Sequence, residues 1–454
     1  MPARPREKVG KRKGGYGFFC IFAKNKQQAM TINTEMQVKD FRAIHHADIL
    51  LNGITVIAGI NGSGKSTLSK LLYSAFENTN RLEDIYIAIY QKSLTNITEI
   101  YQQIQMEFPK LESLRTFIRN LYEKGKRDKA RELLVKALDT LRSAITHDAD
   151  NEMARRLRNI IEYNLNVHGS LDEVLQSVLT TFDSAEELLE KNMANRPIEE
   201  LDAAMAGEFD ENSLLDHVSL SEYGVLFFDK KVSKVPILHY IKNTTYIDSP
   251  LAINFSERPY RHDDWKRDSL DEKLRMDGIK DYNKDIYSYI SRDIIKGEAL
   301  LSEDMEEIYY TREDGQAFAL QDCATGVKSF AMLQMLLRNG HINDRSLIII
   351  DEPEAHLHPQ WIVEYAKVVV ELNKQVGAKF FIATHSTDMV SALRYIAEKE
   401  KTLDKLAYYN AVVAKDAPYM FDYKPLGIDI EPIFESFNKS FSLIEKYGED
   451  NGEV

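Results

Sequence analysis

At 454 residues, 44% hydrophobic and 28% charged, the chain has the length and balance of a globular protein with core enough for two or three domains. A formal net charge of −13 excludes a wholly basic nucleic-acid coat, although a local basic groove is compatible with it. Only two cysteines occur, Cys20 and Cys323, far apart and without CxxC spacing, which excludes a disulfide framework and suits a reducing, cytoplasmic setting.

The first feature along the chain is a strongly basic leader, MPARPREKVGKRKGG, with disorder expected through residue 31. The apolar stretch at 16–22 is too short for a signal-peptide core, and no run approaches the roughly 20 residues that cross a bilayer, so no membrane partner is expected. Three readings of the leader stay open: an arm touching phosphates, a leader without a role, or sequence upstream of a start at Met30. From residue 36 the chain reads as strands at 36–39 and 48–51, an Asn52-Gly53 turn, and a buried strand at 54–58. Leu68, Leu71, Leu72, Ala75 and Phe76 then recur at helical spacing.

Between that strand and that helix lies AGINGSGKST, Ala58 to Thr67, which fits the pattern Gly-x-x-x-x-Gly-Lys-Ser. Glycines allow successive backbone N–H groups to face phosphate oxygens, at the amino end of a helix whose dipole favours anions. Gly59, Asn61, Gly62, Ser63, Gly64, Lys65, Ser66 and Thr67 are therefore the candidate ATP-binding residues. Lys65 is placed to reach the β- and γ-phosphates, and the Ser66 hydroxyl to ligate Mg²⁺.

Residues 84–233 read as mostly helical, with apolar stripes at 114–121 and 130–145 and further helices at 150–165 and 170–191. No heptad persists, so a compact insertion is expected rather than a coiled-coil arm. Strand-and-helix alternation returns over 234–454. Apolar runs at 347–350 and 379–383 suit strands buried on both faces of a parallel sheet, with helices at 328–338 and 360–375. The expected fold is α/β: one discontinuous domain, 32–83 with 234–454, holding a mostly parallel sheet interrupted by the helical insertion.

Leu347-Ile348-Ile349-Ile350 delivers Asp351 and Glu352 to the carboxyl end of a buried strand, where α/β ligand sites lie. Asp351 is expected in the Mg²⁺ shell with Ser66, and Glu352 as the group that orients and deprotonates the attacking water. Phe380-Phe381-Ile382-Ala383-Thr384 repeats the geometry and delivers His385 as a γ-phosphate sensor. The expected catalytic set is Lys65, Glu352 and His385. A run at 258–267 mixes basic and aromatic residues, but its interleaved Asp263 and Asp264 favour a solvated helix face over a nucleic-acid surface.

These segments resemble the ABC-type ATPase heads of the OLD, RecF and SMC group. The resemblance is carried by Val38-Lys39-Asp40-Phe41-Arg42-Ala43-Ile44 and the P-loop at one end. At the other end it is carried by Asp351-Glu352-Pro353-Glu354-Ala355-His356-Leu357-His358-Pro359 and Thr384-His385-Ser386. Cys323-Ala324-Thr325-Gly326-Val327-Lys328-Ser329-Phe330 sits where such heads carry their signature motif. The combination is most similar to the ATPase subunits of bacterial anti-phage systems of the Septu type.

That resemblance implies two heads dimerising face to face around ATP, the P-loop of one completed by the signature of the other. Thr325, Gly326 and Lys328 are the candidates for this contact in trans. It also accounts for His356 and His358 as interface residues rather than metal ligands. Two departures stand out: Ala324 occupies the usual serine position, and the strand and loop at 245–250 offer no Q-loop glutamine. The implied function is an ATP-hydrolysing switch, a homodimer or higher even oligomer, that controls a separate nuclease subunit. OLD enzymes carry a nuclease domain after the head, whereas only about seventy residues follow His385, too few for one. Two alternatives are a repair head of RecF type acting directly on nucleic acid, and a scaffold whose bound ATP is structural.

Overall fold

The computed structural model describes residues 34–107, 127–145, 152–248, 265–276, 278–302, 307–437 and 445–446. The expectations for the basic leader, the 114–121 stripe and the 258–264 run lie outside the described residues. The strands are β1 (Thr34–Phe41), β2 (Ile44–Leu51), β3 (Ile54–Ala58), β4 (Val218–Glu222), β5 (Val225–Phe228), β6 (Asn243–Ile247), β7 (Gly297–Leu301), β8 (Ile308–Arg312), β9 (Ala317–Ala319), β10 (Ser346–Asp351), β11 (Lys379–Thr384), β12 (Leu406–Val413) and β13 (Phe421–Gly427). All but β7, β8 and β9 join one sheet in the order β5-β4-β1-β2-β13-β12-β3-β11-β10-β6. The run β12-β3-β11-β10-β6 is parallel throughout. The flank β5-β4-β1-β2 is antiparallel, and β13 joins the halves, parallel to β2 and antiparallel to β12.

Side chains alternate between the two faces of a strand, so a strand buried on both faces feeds two cores. Ile57, Leu347, Ile349 and Phe381 pack into one core, with the helix α1 (Lys65–Asn80) that follows the P-loop. Their neighbours Val56, Ile348, Ile350, Phe380 and Ile382 pack into the other. Each such side chain contributes about 1.5–3 kcal/mol by leaving water, so continuous apolar runs, not alternation, are what this sheet requires.

The helices after α1 are α2 (Leu82–Ser93), α3 (Thr95–Glu107), α4 (Arg127–Ile145), α5 (Glu152–Leu165), α6 (Leu171–Asn195) and α7 (Ile198–Gly207). Ser170 and Glu173 form a capping box that starts α6. The apolar faces of this group extend the α1 core. The helical stretch ends at α7. Within the expected 84–233 insertion, β4 and β5 return to the sheet, with β4 paired antiparallel to β1. The apolar pattern hid β4 because Ser221 and Glu222 are buried in it. The Glu222 carboxylate accepts the N–H groups of His239, Tyr240 and Ile241 at 3.1, 3.3 and 2.8 Å, which satisfies a charge inside the fold.

On the other face lie α8 (Trp265–Leu274), α9 (Lys284–Ser288), α10 (Thr325–Arg338), α11 (Pro359–Glu371), α12 (Thr387–Lys399) and α13 (Glu431–Phe437). The buried Gln334 amide ties α10 to its surroundings: its Oε1 accepts from the Ala299 N–H at 2.9 Å and its Nε2 donates to Ser291 Oγ at 2.8 Å. Among the described residues no helix is long and apolar enough to cross a membrane.

Candidate nucleotide-binding site

The chain leaves β3 at Ala58, turns through the P-loop and enters α1 at Lys65. Gly64 caps that helix at φ 93°, a left-handed conformation in which a Cβ would be strained, and no side chain caps the first N–H groups. Those donors are therefore free to meet an anion. A Cβ on Gly59 would sit 2.6 Å from Cβ of Ala411, so only glycine lets the loop lie against β12. Ser63 is buried and its hydroxyl donates to the Ile60 carbonyl at 2.8 Å, while Tyr423 on β13 donates to the Ser63 carbonyl at 2.9 Å. Asn61, Gly62 and Ser66 are exposed and Thr67 is half-buried. Lys65 is 6% exposed, and its amine donates to the carbonyls of Gly59 at 2.9 Å and Ile60 at 3.1 Å. Burial lowers its pKa; the charges of Glu352, Asp351 and Glu354 oppose that shift.

Asp351 ends β10 at 4% exposure. One carboxylate oxygen accepts from the Ser69 hydroxyl, the other from the Tyr246 hydroxyl at 2.9 Å, and Ser66 also donates to it. Burial raises its pKa, while these hydroxyl donors pull it down. Ser69 lies on α1 three residues beyond Ser66, so a carboxylate and two helix hydroxyls converge beside the P-loop.

Glu352 follows at φ 50°, a left-handed conformation uncommon for a side chain larger than glycine and of a kind that clusters at functional sites. Its N–H donates to the Ala383 carbonyl at 2.8 Å, which extends the β10–β11 ladder by one residue and then turns the chain. The carboxylate is 41% exposed and lies 3.2 Å from Nδ1 of His385, itself 42% exposed. Glu354 stands behind both, nearly buried. Its Oε1 accepts from the Thr384 hydroxyl at 2.6 Å and from the His385 N–H at 3.0 Å, and lies 3.5 Å from His385 Nδ1. Glu354 therefore fixes the turn that presents His385 to Glu352.

The signature segment opens α10 with Ala324 as a cap that offers no side-chain acceptor. Gly326 is buried: a Cβ there would meet ring carbons of Trp361 at 2.4 and 2.5 Å. Thr325 and Lys328 are half-buried. Because α10 belongs to the core on the opposite face of the sheet from α1, Thr325, Gly326 and Lys328 are not gathered with the P-loop of their own chain. The structure thus brings together Lys65, Ser66, Asp351, Glu352 and His385, and leaves the signature residues apart. It adds Ser69, Tyr246, Glu354 and Tyr423. Ser69 could have been found from its one-turn spacing to Ser66, and Glu354 from its place in the Glu-Pro-Glu run; Tyr246 carried no sequence signal.

These residues fit a magnesium nucleotide. Mg²⁺ takes one or two carboxylates and completes its shell with phosphates and water, which matches one buried aspartate beside hydroxyls. Among the described residues no group of three or more His, Cys, Asp or Glu side chains is arranged to hold a metal, His356 and His358 included.

Such a loop, strand-end carboxylate pair and α/β sheet define a P-loop ATPase. Residues 30–390 match the model of the AAA ATPase domain family (AAA_15), and the chain belongs to that family. It is also similar to the energy-coupling factor transporter ATP-binding protein EcfA3 of Clostridium perfringens, 35% identical over 72 residues, 16% of this chain. That match spans only 25% of the relative's length. Among solved structures, the Smc head domain of Pyrococcus furiosus, bound to the C-terminal domain of ScpA, is 12% identical at a TM-score of 0.34, over 92% of this chain and 100% of that one. The SMC head domain of Thermotoga maritima is 11% identical at 0.36, over 87% and 99%.

Proposed function

We propose that the protein binds ATP with Mg²⁺ and hydrolyses it as a dimer, and that this cycle switches a separate effector, a nuclease, in anti-phage defence. The observation that carries the ATPase reading is the convergence of the P-loop, Asp351 and the Glu352–His385 pair at the carboxyl ends of the adjacent strands β3, β10 and β11. Lys65 would exchange its loop carbonyls for β- and γ-phosphate oxygens. Ser66 and Asp351 would hold the magnesium ion, which when bound neutralises charge on those oxygens. Glu352 is exposed enough to take a proton from a water that attacks the γ-phosphorus, while the bond to the β–γ bridging oxygen breaks and ADP leaves. His385, oriented by Glu354, would donate to the γ-phosphate. Thr325, Gly326 and Lys328 would approach from the second protomer.

Replacing Glu352 with glutamine keeps the shape and removes the base. Turnover should fall by roughly 10²–10⁴, with an ATP-bound dimer accumulating on size-exclusion chromatography. Equal turnover in wild type and Glu352→Gln would remove Glu352 from the mechanism. The effector reading rests on the resemblance of the motifs. Mass spectrometry of the complex purified from its native cells should find a nuclease, and its absence would leave the ATPase without that role.

A further inference from the structure

The carboxyl ends of the parallel strands serve the nucleotide site, and their amino ends surround a second cavity of about 740 Å³. Its lining comes from the residues that immediately precede or open those strands: Gly53 before β3, Lys242 before β6, Arg345 before β10, Lys379 at the start of β11 and Lys405 before β12. Four of the five are cations. The carboxylate lining the cavity is Asp344, so the wall carries a clear excess of positive charge within a protein of net charge −13. Among the described residues none of the four cationic side chains is in an ion pair. Lys379 is 7% exposed and donates to the Asp344 carbonyl at 3.1 Å. Burying an ammonium is costly unless it meets a counter-charge; the carboxylates of Asp344 and Glu222 act on this one from beyond ion-pair distance, and its direct partner is a neutral carbonyl.

The rim supplies a second kind of contact. Tyr240 lines the cavity, is 44% exposed, and stacks on Tyr223 with ring centroids 3.5 Å apart. The Glu222 carboxylate, by accepting the N–H groups of residues 239–241, fixes the turn that carries it. A held aromatic face beside clustered cations is the combination that receives a base and its phosphate.

We infer that this cavity binds a nucleoside phosphate, either a free mononucleotide or the phosphorylated end of a nucleic-acid strand. Lys242, Arg345, Lys379 and Lys405 take the phosphate, and Tyr240 stacks the base. The site is separate from the P-loop, one strand length or roughly 17–20 Å away, and both can be filled at once. It does not depend on the ATPase reading.

Calorimetric titration of the full chain with AMP, a 5′-phosphorylated trinucleotide and inorganic pyrophosphate tests it, using Lys242→Glu/Lys405→Glu, Tyr240→Ala and Lys65→Ala variants. AMP or the trinucleotide should bind wild type and Lys65→Ala alike, and should weaken about tenfold or more in the double charge reversal. Whichever of the two binds more tightly identifies the source. A circular dichroism spectrum and thermal midpoint matching wild type show that the charge-reversed chain is folded. Loss confined to Lys65→Ala, or no binding by either nucleotide, overturns the site. Pyrophosphate binding as tightly as the nucleotides, or no effect of Tyr240→Ala, overturns the nucleoside assignment. A chain that binds AMP here and fails to hydrolyse ATP would leave this site standing and remove the proposed turnover.

Discussion

Asp351 is caught between two demands. Its position at the end of β10 puts it beside the P-loop, and the same position buries it, which pushes its carboxyl above the usual range despite hydroxyl donors from Ser69, Tyr246 and Ser66. A group whose ionised form is disfavoured by folding weakens the nucleotide-free protein at neutral pH, and such trade-offs are common where a site must meet charge later. Asp351→Asn should therefore raise the thermal midpoint of the nucleotide-free protein and abolish magnesium-dependent turnover. A lower midpoint would show that the three hydroxyls need the charge more than the fold resists it. Asp351 and Lys65 were legible because strand and loop patterns fix their places. Ser69 and Tyr246 were not, because they meet the carboxylate across 282 and 105 residues of chain, and only the sheet order brings them there.

Legibility changes at the scale of elements. β10 and β11 announce themselves because every residue from Leu347 to Ile350 and from Phe380 to Ala383 is apolar and buried, whereas β4 hides Ser221 and Glu222 in its core. The helix expected over 360–375 is α-helical as α11, then widens into a π-turn at Leu372–Val376 that closes on Gly377 at φ 84°. Apolar spacing does not record such a change of winding. The loop after α10 has a comparable concealed constraint. His341 Nδ1 lies 3.2 Å from the Asn243 amide nitrogen that opens β6, and its Nε2 lies 3.1 Å from the Met276 sulfur. Burial, with Lys273 adding to it, pushes this imidazole down to about 4 from its ordinary value of 6.5. The unfolded chain then binds a proton that the folded chain refuses between those values, so stability is full above pH 6.5 and is lost as pH falls towards 4. The slope from this one group is about 1.4 kcal/mol per pH unit. Urea unfolding of wild type and His341→Gln across that window should show a shallower decline in the variant, and parallel curves would remove His341 from the acid response.

The whole molecule is organised as a sheet with a different duty on each face. The P-loop helix packs on one side and the signature helix on the other, and the Trp361 ring lies so close to Gly326 that a Cβ there would clash with it. In the proposed dimer a γ-phosphate held by Lys65 would meet the signature of a second copy, and a two-fold arrangement would make the two such sites equivalent. Ala324 lacks a hydroxyl, so in that dimer Thr325, the Gly326 N–H and Lys328 would be the groups to make the contact. The trans arrangement makes a quantitative demand. Lys65→Ala should disable the P-loop half and Lys328→Glu the signature half, each alone losing turnover. When the two variants are mixed in equal amounts and allowed to exchange, half of the dimers contain one chain of each kind. In a trans arrangement every mixed dimer pairs the intact P-loop of one chain with the intact signature of the other, at one of its two sites. Turnover should return to about a quarter of the wild-type value. A cis arrangement leaves no intact site in any dimer, so a mixture as inactive as its components would place the whole site within one chain.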